Sequence, residues 1–401
     1  MSKPDNPRRT SYSRLIIGNL LVLLLIFVLF EGAASFLLVS HNIVKTRPIA
    51  ERLHTEYDPE LGWVNKPNVD LPDMYGPGIF VRINNQRFRA DHDFDDNVPS
   101  GKLRIICSGD SFTFGYGVNN DCTWCQFLTT LDSRLETINM GQGGYGVDQA
   151  YLWYKRDGLK FQHQIHLLAF ITLDFERMQS TEFLGYGKPV IDVDNGTLVI
   201  KNVPVPNNAY RLPWLTTTSQ NVTRNLKGLR SVELLNRLLM RIGVGRETAS
   251  PPVNKDVEQK TRLVLHKIFE DLKTRDAEQS RQLVLVYLPD PRDLNGDGPT
   301  DWIKFIEKES HELSIPFINV LDTFRGLRNT EAEEMFIRRG PTAYPAADGH
   351  LNNHGNRLVA ETIYTALKAD GIALGTPAPG EKSERLRVIP NAGPTRTSLL
   401  K

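Results

Sequence analysis

Three residues have the types and spacing that nucleophilic acyl chemistry needs: a serine at position 111, and an aspartate and a histidine at 348 and 350. Ser111 ends a Gly-Asp-Ser sequence that closely follows the apolar run Leu103–Cys107. A serine hydroxyl becomes a nucleophile when a base takes its proton and an acid orients that base. In an extended segment, side chains two residues apart point the same way, so Asp348 is expected to reach the ring nitrogen of His350 that faces away from the serine. Taken alone, each segment also fits a plain polar turn, one after a strand and one before a helix.

The elements that must position these residues alternate between strand and helix patterns. Short apolar runs end at Cys107, near Asn139, at Thr172, at Leu288 and at Val320. Helical patterns lie between them, at 123–135, 147–158, 256–275, 300–312 and 355–369. This alternation predicts an α/β fold in which helices cover both faces of a parallel sheet. The serine would then lie at the carboxyl edge of the sheet, where ligands bind in such folds.

The composition is that of a globular protein. The chain has 401 residues, of which 40% are hydrophobic and 24% charged, and its formal net charge is +1. This length allows one large domain with additions, or two domains. The balanced charge gives no indication of nucleic-acid binding.

The N-terminal segment predicts a membrane anchor. Basic residues precede Leu15–Val39, which is apolar apart from three positions. About 25 residues at ~1.5 Å each cross a hydrocarbon core of ~30 Å. The basic head favours residues 1–14 as a cytoplasmic tail, with the rest of the chain in the periplasm or otherwise outside the cytoplasm. A cleaved signal peptide is the alternative, because Gly32–Ser35 offers small residues for cleavage, but the apolar run continues past that point to Val39.

Three further segments do not follow the strand–helix alternation. Residues 41–100 are turn-rich and contain strand patterns, which predicts a β-containing entry segment. Residues 178–250 interrupt the strand–helix alternation as an insertion, which includes a hairpin around Asn195-Gly196 and a helix over Ser231–Arg241. Residues 374–401 have the composition of a disordered tail. The acidic stretch from Asp91 to Asp96 contains a histidine and permits a metal site, although a solvated loop is the simpler interpretation.

The cysteines do not form a disulfide scaffold. Only Cys107, Cys122 and Cys125 are present, and the last two have the spacing of a redox pair. No thioredoxin-like pattern surrounds them, which favours two small buried residues beside Trp124 over a redox site.

Three segments, in order along 101–370, resemble the conserved blocks of the SGNH (GDSL) hydrolase superfamily. Gly109-Asp110-Ser111-Phe112 resembles the first block, and the segment from Asn139 to Gln149, with its glycine at Gly144, is similar to the second. Asp348-Gly-His350, with Gly355 five residues after the histidine, resembles the last. The N-terminal anchor and the Asp-Pro-Glu-Leu-Gly-Trp sequence also look like those of membrane-anchored bacterial members that are encoded with surface-glycan machinery. The resemblance implies an SGNH-type, flavodoxin-like three-layer fold for residues 101–370.

The resemblance also implies roles for individual residues. Ser111 would be the nucleophile, His350 the general base and Asp348 its orienting acid, and the backbone N–H groups of Ser111 and Gly144 would form an oxyanion hole. It implies neither a cofactor nor a metal. His354 would be a surface residue in the first turn of the following helix.

Two departures from the family pattern stand out. The family usually spaces acid and base as Asp-x-x-His, whereas this chain has Asp-x-His. The third block normally supplies an asparagine whose side chain donates to the oxyanion, and here Leu173 takes its place. Thr172, Gln142 and Gln149 are candidates to replace that donor.

Several functions remain open on these observations. The first is a membrane-anchored serine esterase that removes acyl groups, with acetyl as the expected one, from an envelope or exported glycan. A glycan O-acyltransferase, a lipid or thioester hydrolase, and a non-catalytic domain that binds a glycan or a partner are the alternatives. Four aromatic residues are candidates to line a sugar site: Trp63, Tyr186, Tyr210 and Trp214.

Overall fold

The computed structural model describes residues 9–45, 51–207, 255–294, 300–338 and 344–369, together with positions 231, 234 and 235. Residues 1–8 of the predicted tail, the bulk of the helix predicted over Ser231–Arg241, and the C-terminal segment 374–401 lie outside the described residues. Tyr210 and Trp214 lie outside them as well.

One long helix precedes the rest of the described chain. This helix, α1, runs from Arg9 to Lys45, and its section Arg14–Leu38 is long and apolar enough to cross a membrane. Most of its leucine, isoleucine and valine side chains are exposed.

The entry segment consists of a short helix and two antiparallel strand pairs. Helix α2 spans Glu51–His54. The paired strands are β1 (Thr55–Asp58) with β2 (Gly62–Asn65), and β3 (Val69–Gly76) with β4 (Ile79–Ile83).

A five-stranded parallel sheet forms the centre of the molecule. Its strands are β5 (Leu103–Gly109), β6 (Leu135–Gly141), β7 (Ile165–Phe170), β12 (Gln282–Tyr287) and β13 (Phe317–Asn319). Their order is β13-β12-β7-β5-β6, and every neighbouring pair is parallel. The chain therefore starts in β5, moves outward to β6 and returns to the other side of β5. This reversal is the topological switch point, where open α/β sheets bind their ligands.

Helices cover both faces of the sheet, as the alternation predicted. They are α3 (Ser111–Phe114), α4 (Trp124–Leu131), α5 (Val147–Arg156), α6 (Thr172–Arg177), α7 (Lys255–Glu278), α8 (Pro291–Leu294), α9 (Thr300–Leu313), α10 (Val320–Arg325), α11 (Asn329–Glu333) and α12 (Asn353–Ala369). One apolar cluster joins one sheet face to α5, α7 and α9, and another joins the opposite face to α4, α10 and α12. Side chains alternate along each strand, so neighbouring residues enter opposite clusters: Ile105 and Cys107 lie in one, and Ile106 in the other. The three-layer α/β architecture confirms the predicted fold class.

Two short antiparallel pairs follow α6. They are β8 (Glu182–Phe183) with β9 (Tyr186–Gly187), and β10 (Val190–Asp194) with β11 (Thr197–Lys201). The predicted hairpin is present, and both turn residues have a positive φ, 48° at Asn195 and 78° at Gly196. An Asn-Gly pair suits this two-residue turn because both residue types tolerate the left-handed region.

Candidate active site

Strand β5 delivers Ser111 to the carboxyl edge of the sheet. The strand ends at Gly109, where a β-carbon would lie 2.5 Å from the carbonyl oxygen of Ala169, so only glycine fits. Asp110 then caps helix α3, because its Oδ1 accepts the N–H of Phe112 at 2.8 Å. This cap places Ser111 as the first residue of the helix, at the switch point beside β7.

Ser111 and His350 meet across a separation of 239 residues. The Oγ of Ser111 lies 2.7 Å from Nε2 of His350, which is hydrogen-bond distance. The imidazole packs between the rings of Phe112 and Tyr116, with centroids 4.6 and 5.2 Å away. A serine hydroxyl in contact with a histidine nitrogen is the arrangement that activates a serine nucleophile.

The predicted hydrogen bond between Asp348 and His350 is not formed. Among the described residues, Nδ1 of His350 has no hydrogen-bond partner, and the Asp348 side chain is exposed. The segment is a turn and not a strand, since the His350 N–H donates to the Ala347 carbonyl at 3.1 Å and Gly349 has a φ of 80°. The alternation of side chains in extended backbone therefore does not apply here. The extended geometry expected for this segment was wrong.

Burial and two neighbouring charges set the pKa of His350. Burial of the ring lowers the pKa to about 4, the Asp110 carboxylate opposes this change, and the Arg177 guanidinium acts in the same direction as burial. The imidazole is therefore neutral near pH 7, which is the form that can accept a proton.

A pH profile of any hydrolytic activity tests this environment. Because a protonated imidazole cannot act as the base, kcat/KM should stay level from neutral pH down to about pH 5 and fall to half near pH 4. The measurement is kcat/KM on a small activated ester from pH 3.5 to 8, corrected for spontaneous hydrolysis. A midpoint at pH 6.5 or above would contradict the desolvated environment.

Asp110, which directly precedes Ser111, belongs to a buried cluster with Asp174 and Arg177. Asp110 and Asp174 are each 1% exposed, and the same Arg177 nitrogen, Nη1, donates to Asp174 at 2.6 Å and to Asp110 at 3.3 Å. Burial raises the pKa of Asp174 well above its usual value, and the adjacent Asp110 charge raises it further. No sequence motif indicated a role for Arg177. The signal available in the sequence was its position four residues after Leu173, which places both on one helical face.

The two predicted oxyanion donors lie at chain positions suited to that task. Ser111 is the first residue of α3, so its N–H is one of the amides without an acceptor inside the helix. Gly144 has a φ of 76°, and a β-carbon there would lie 2.4 Å from the Phe183 ring. Glycine is thus required at 144 for both conformation and space. Trp63 secures the same loop by donating its Nε1 hydrogen to the Gly143 carbonyl at 2.9 Å.

Leu173 and the three residues considered as substitutes for the missing asparagine donor lie in different surroundings. Leu173 is half-buried in α6 and packs against the apolar cluster that contains Phe112. The Thr172 hydroxyl is in contact with the Tyr287 hydroxyl at 2.7 Å, and the Gln149 amide donates to the Leu61 carbonyl at 2.7 Å. Gln142 is fully buried, and its side-chain amide has no hydrogen-bond partner among the described residues.

A second Ser–His–Asp contact lies inside the core. The Ser108 Oγ is 2.7 Å from Nε2 of His166, whose Nδ1 is 3.3 Å from Asp276. All three residues are at most 1% exposed, so no substrate reaches this serine. The contact instead satisfies polar groups between β5, β7 and α7. Ser111 and Ser108 are thus two serines of the described residues that contact a histidine, and Ser108 is the one enclosed in the core.

Other residues singled out in the sequence also lie within the described ranges. His354 is exposed in the first turn of α12, as expected, and Cys107, Cys122 and Cys125 are free thiols. Trp63 and Tyr186 are buried and pack against each other, with ring centroids 5.9 Å apart. Within the described ranges, no group of three or more potential ligand side chains could hold a metal ion.

Comparisons by sequence return no relative. No family model matches the chain, and no curated protein matches it either.

Solved structures similar to the chain include lipolytic proteins and acetyl xylan esterases. A member of the lipolytic protein G-D-S-L family from Veillonella parvula is 14% identical, with a TM-score of 0.34, over 66% of this chain and 98% of that one. The acetyl xylan esterase AlAXEase is 15% identical, with a TM-score of 0.37, over 66% and 100%. An acetylxylan esterase from Geobacillus stearothermophilus is 11% identical, with a TM-score of 0.35, over 66% and 94%.

At these identities and TM-scores, the fold assignment rests on the strand order of the chain itself. The parallel sheet, its flanking helices and the position of Ser111 after the first strand of that sheet fit the SGNH α/β fold.

Proposed function

We propose that this chain is an SGNH-type serine esterase that cleaves acyl esters. The observation that carries the proposal is the 2.7 Å contact between Ser111 Oγ and His350 Nε2, formed at the switch point of the sheet by residues from two of the resembling blocks. A neutral imidazole beside a serine hydroxyl has the protonation state and the geometry of a general base.

The reaction would proceed in two displacements. Ser111 Oγ attacks the ester carbonyl carbon while its proton passes to His350 Nε2, and the resulting oxyanion is held by the N–H groups of Ser111 and Gly144. The imidazolium then protonates the leaving alcohol oxygen as the acyl–oxygen bond breaks, which leaves an acyl-enzyme on Ser111. Water gives a proton to His350 as its oxygen attacks the acyl carbon. The imidazolium then returns that proton to Ser111 Oγ as the acyl–Oγ bond breaks, so that the carboxylic acid leaves and the serine hydroxyl is restored.

Asp348 is proposed to act as the acid that orients His350. Its carboxylate would have to turn towards Nδ1 when substrate binds, and catalytic hydrogen bonds in unliganded enzymes often tighten only in the complex. Asp110 already places a negative charge near the ring, as its effect on the pKa of His350 indicates.

Replacing Asp348 by asparagine distinguishes the contribution of the Asp348 carboxylate from that of the Asp110 carboxylate. We expect kcat/KM to fall by about tenfold, far less than the ~10⁴ lost when a buried triad acid is replaced, because the Asp110 charge remains. The measurement is ester hydrolysis by Asp348→Asn, with Glu333→Gln as a control for another nearby surface carboxylate. Unchanged kinetics in Asp348→Asn would remove this residue from the mechanism.

The proposed substrate is an acylated glycan of the cell envelope or an exported one, with acetyl as the acyl group. Support comes from the N-terminal segment, which resembles that of membrane-anchored members associated with surface glycans. The names of two of the similar structures, which are acetyl xylan esterases, point to the same chemistry. Transfer to a sugar hydroxyl in place of water would turn the same acyl-enzyme into an O-acyltransferase intermediate.

The anchor is proposed to stay attached, with the domain outside the cytoplasm. The length and apolar character of Arg14–Leu38 support a single membrane span. In cells that express the full chain, we expect the protein in the membrane fraction with residues 15–39 still present. N-terminal sequencing of the membrane-extracted protein checks this, and a mature end near Ser35 would instead identify a cleaved signal peptide.

The alternative is a non-catalytic domain that binds a glycan or a partner, which the leucine at position 173 favours. Labelling with a fluorophosphonate distinguishes the two, because the probe reacts only with an activated serine. We expect labelling of the wild-type protein that is lost in Ser111→Ala and retained in Ser108→Ala. An unlabelled wild-type protein without ester turnover would favour the binding function.

A further inference from the structure

Arg177 lies on α6, close to the two segments that carry the expected oxyanion donors, Ser111 and Gly144. Helix α6 follows β7 directly, and Asp174 fixes its first turn by accepting the Ile171 N–H at 3.1 Å. Leu173 and Arg177 are four residues apart on this helix, so they share one face. The arginine therefore projects from the same element, and the same side of it, as the residue that replaces the family's oxyanion-donating asparagine.

One nitrogen of Arg177 connects the two segments that carry the donors. Its Nη1 donates to the Asp110 carboxylate at 3.3 Å and to the Tyr145 carbonyl at 3.0 Å. Asp110 directly precedes Ser111, and Tyr145 directly follows Gly144. Each contact is thus one residue away from an expected oxyanion donor.

Surrounding contacts keep the guanidinium in place. The third acceptor of Nη1 is Asp174 at 2.6 Å, and the Phe183 ring lies under the guanidinium, with 4.9 Å from Cζ to the centroid. Lys188, itself fully buried and paired with Asp148, donates to the Arg177 carbonyl at 3.1 Å. The Arg177 side chain is only 14% exposed. All three acceptors contact the same nitrogen, so its two hydrogens are shared among Asp110, Tyr145 and Asp174.

We propose that Arg177 is the positioning residue that holds the Ser111 and Gly144 segments at the separation an oxyanion hole requires, and thereby offsets the missing asparagine donor. This inference rests on the proposed esterase function. Two backbone donors stabilise a developing oxyanion effectively only when they are held in place before the reaction. If they had to move into place during the reaction, the free energy of that reorganisation would offset the stabilisation. A chain that lacks the third donor depends more strongly on such a clamp.

The test compares Arg177→Met and Arg177→Lys with Arg156→Met. Arg156 is a matched control, because it too is a part-buried arginine with two carboxylate contacts: it reaches Asp58 of a separate segment at 2.7 Å and its own neighbour Asp157 at 3.0 Å. For Arg177→Met we expect kcat to fall about 10²-fold with KM nearly unchanged, and inhibition by a phenylboronic acid, whose adduct with serine is tetrahedral, to weaken by a similar factor. Arg177→Lys should lose about tenfold in kcat, and Arg156→Met should keep the wild-type kcat.

Hydrogen–deuterium exchange gives a readout that does not need turnover. In Arg177→Met, amides in 110–115 and 141–146 should exchange about tenfold faster or more, whereas Arg156→Met should leave both segments unchanged. Unchanged exchange in both segments, or a loss confined to KM, would overturn the inference. If the wild type shows neither turnover nor Ser111 labelling, the proposed esterase function fails. The exchange measurement would still test whether Arg177 holds the Ser111 and Gly144 segments in place. Should Arg177→Met not fold, Arg177→Lys decides on both readouts, and wild-type kcat and exchange in that variant would refute the proposal.

Discussion

Replacing Ser111 by alanine is expected to lower kcat for ester hydrolysis by roughly 10⁴-fold or more, which corresponds to about 5 kcal/mol of activation free energy. The reason is chemical, since alanine has no oxygen to attack the carbonyl carbon and no acyl-enzyme can form. His350→Ala should cause a loss of similar size, because serine and histidine act as one unit, 2.7 Å apart. The double variant should lose little more than either single one.

Ser108→Ala is the matched control for this prediction. It removes a serine that also contacts a histidine, at 2.7 Å from His166, but in the closed core. We expect it to leave kcat/KM within about twofold of wild type and to lower the free energy of unfolding by about 1–3 kcal/mol, because the buried His166 nitrogen loses its partner. Activity that survives Ser111→Ala, or is lost in Ser108→Ala while the variant remains folded, would place the nucleophile elsewhere.

Replacing Leu173 by asparagine is expected to raise kcat/KM by roughly 10-fold or more. The change would place a side-chain amide at the position where the superfamily that the sequence resembles has its oxyanion donor, and one such donor accounts for about 10²–10³ in rate elsewhere. The gain should fall short of that full range for two reasons. Leu173 packs against the apolar cluster that contains Phe112, so the new amide enters surroundings shaped for leucine. The two proposed backbone donors would also share the charge already.

The kinetics of wild type, Leu173→Asn and the double variant with Ser111→Ala check this prediction. The double variant should be inactive, which shows that any gain passes through the serine. Leu173→Met is the size control, since it keeps an apolar side chain and should leave kcat/KM unchanged. Brisk wild-type turnover that falls on introducing asparagine would mean that another residue already supplies the third donor.

Local sequence patterns were sufficient for the fold class and for the position of Ser111 directly after a strand. Apolar runs such as Ile165–Thr172 predicted the strands of the parallel sheet, and the observed β7, Ile165–Phe170, ends within two residues of that expectation. The Asn195-Gly196 turn was predictable for the same kind of reason. Backbone periodicity and the residue types that tolerate a positive φ act over a few neighbouring residues, so the sequence displays them directly.

The detailed geometry of the site depended on contacts between distant segments. Asp348 was expected to lie behind His350, but backbone hydrogen bonds of its neighbours, Gly349 N–H to the Ile337 carbonyl and Ile337 N–H to the His350 carbonyl, bend this segment into a turn. The residue types at 348–350 do not indicate that this segment is hydrogen-bonded to Ile337. A side-chain direction therefore could not be read from residue spacing alone.

What the sequence by itself determined was the α/β fold, the serine at the end of a strand and the histidine before the last helix. Only the tertiary structure decided that Ser111 meets His350, that Ser108 is closed off in the core, and that Arg177 joins Asp110 to the Tyr145 carbonyl. The physical reason is that strand register and helix packing bring these groups together across long stretches of chain. The energies of such contacts depend on distance and burial, which no local pattern of residue types contains.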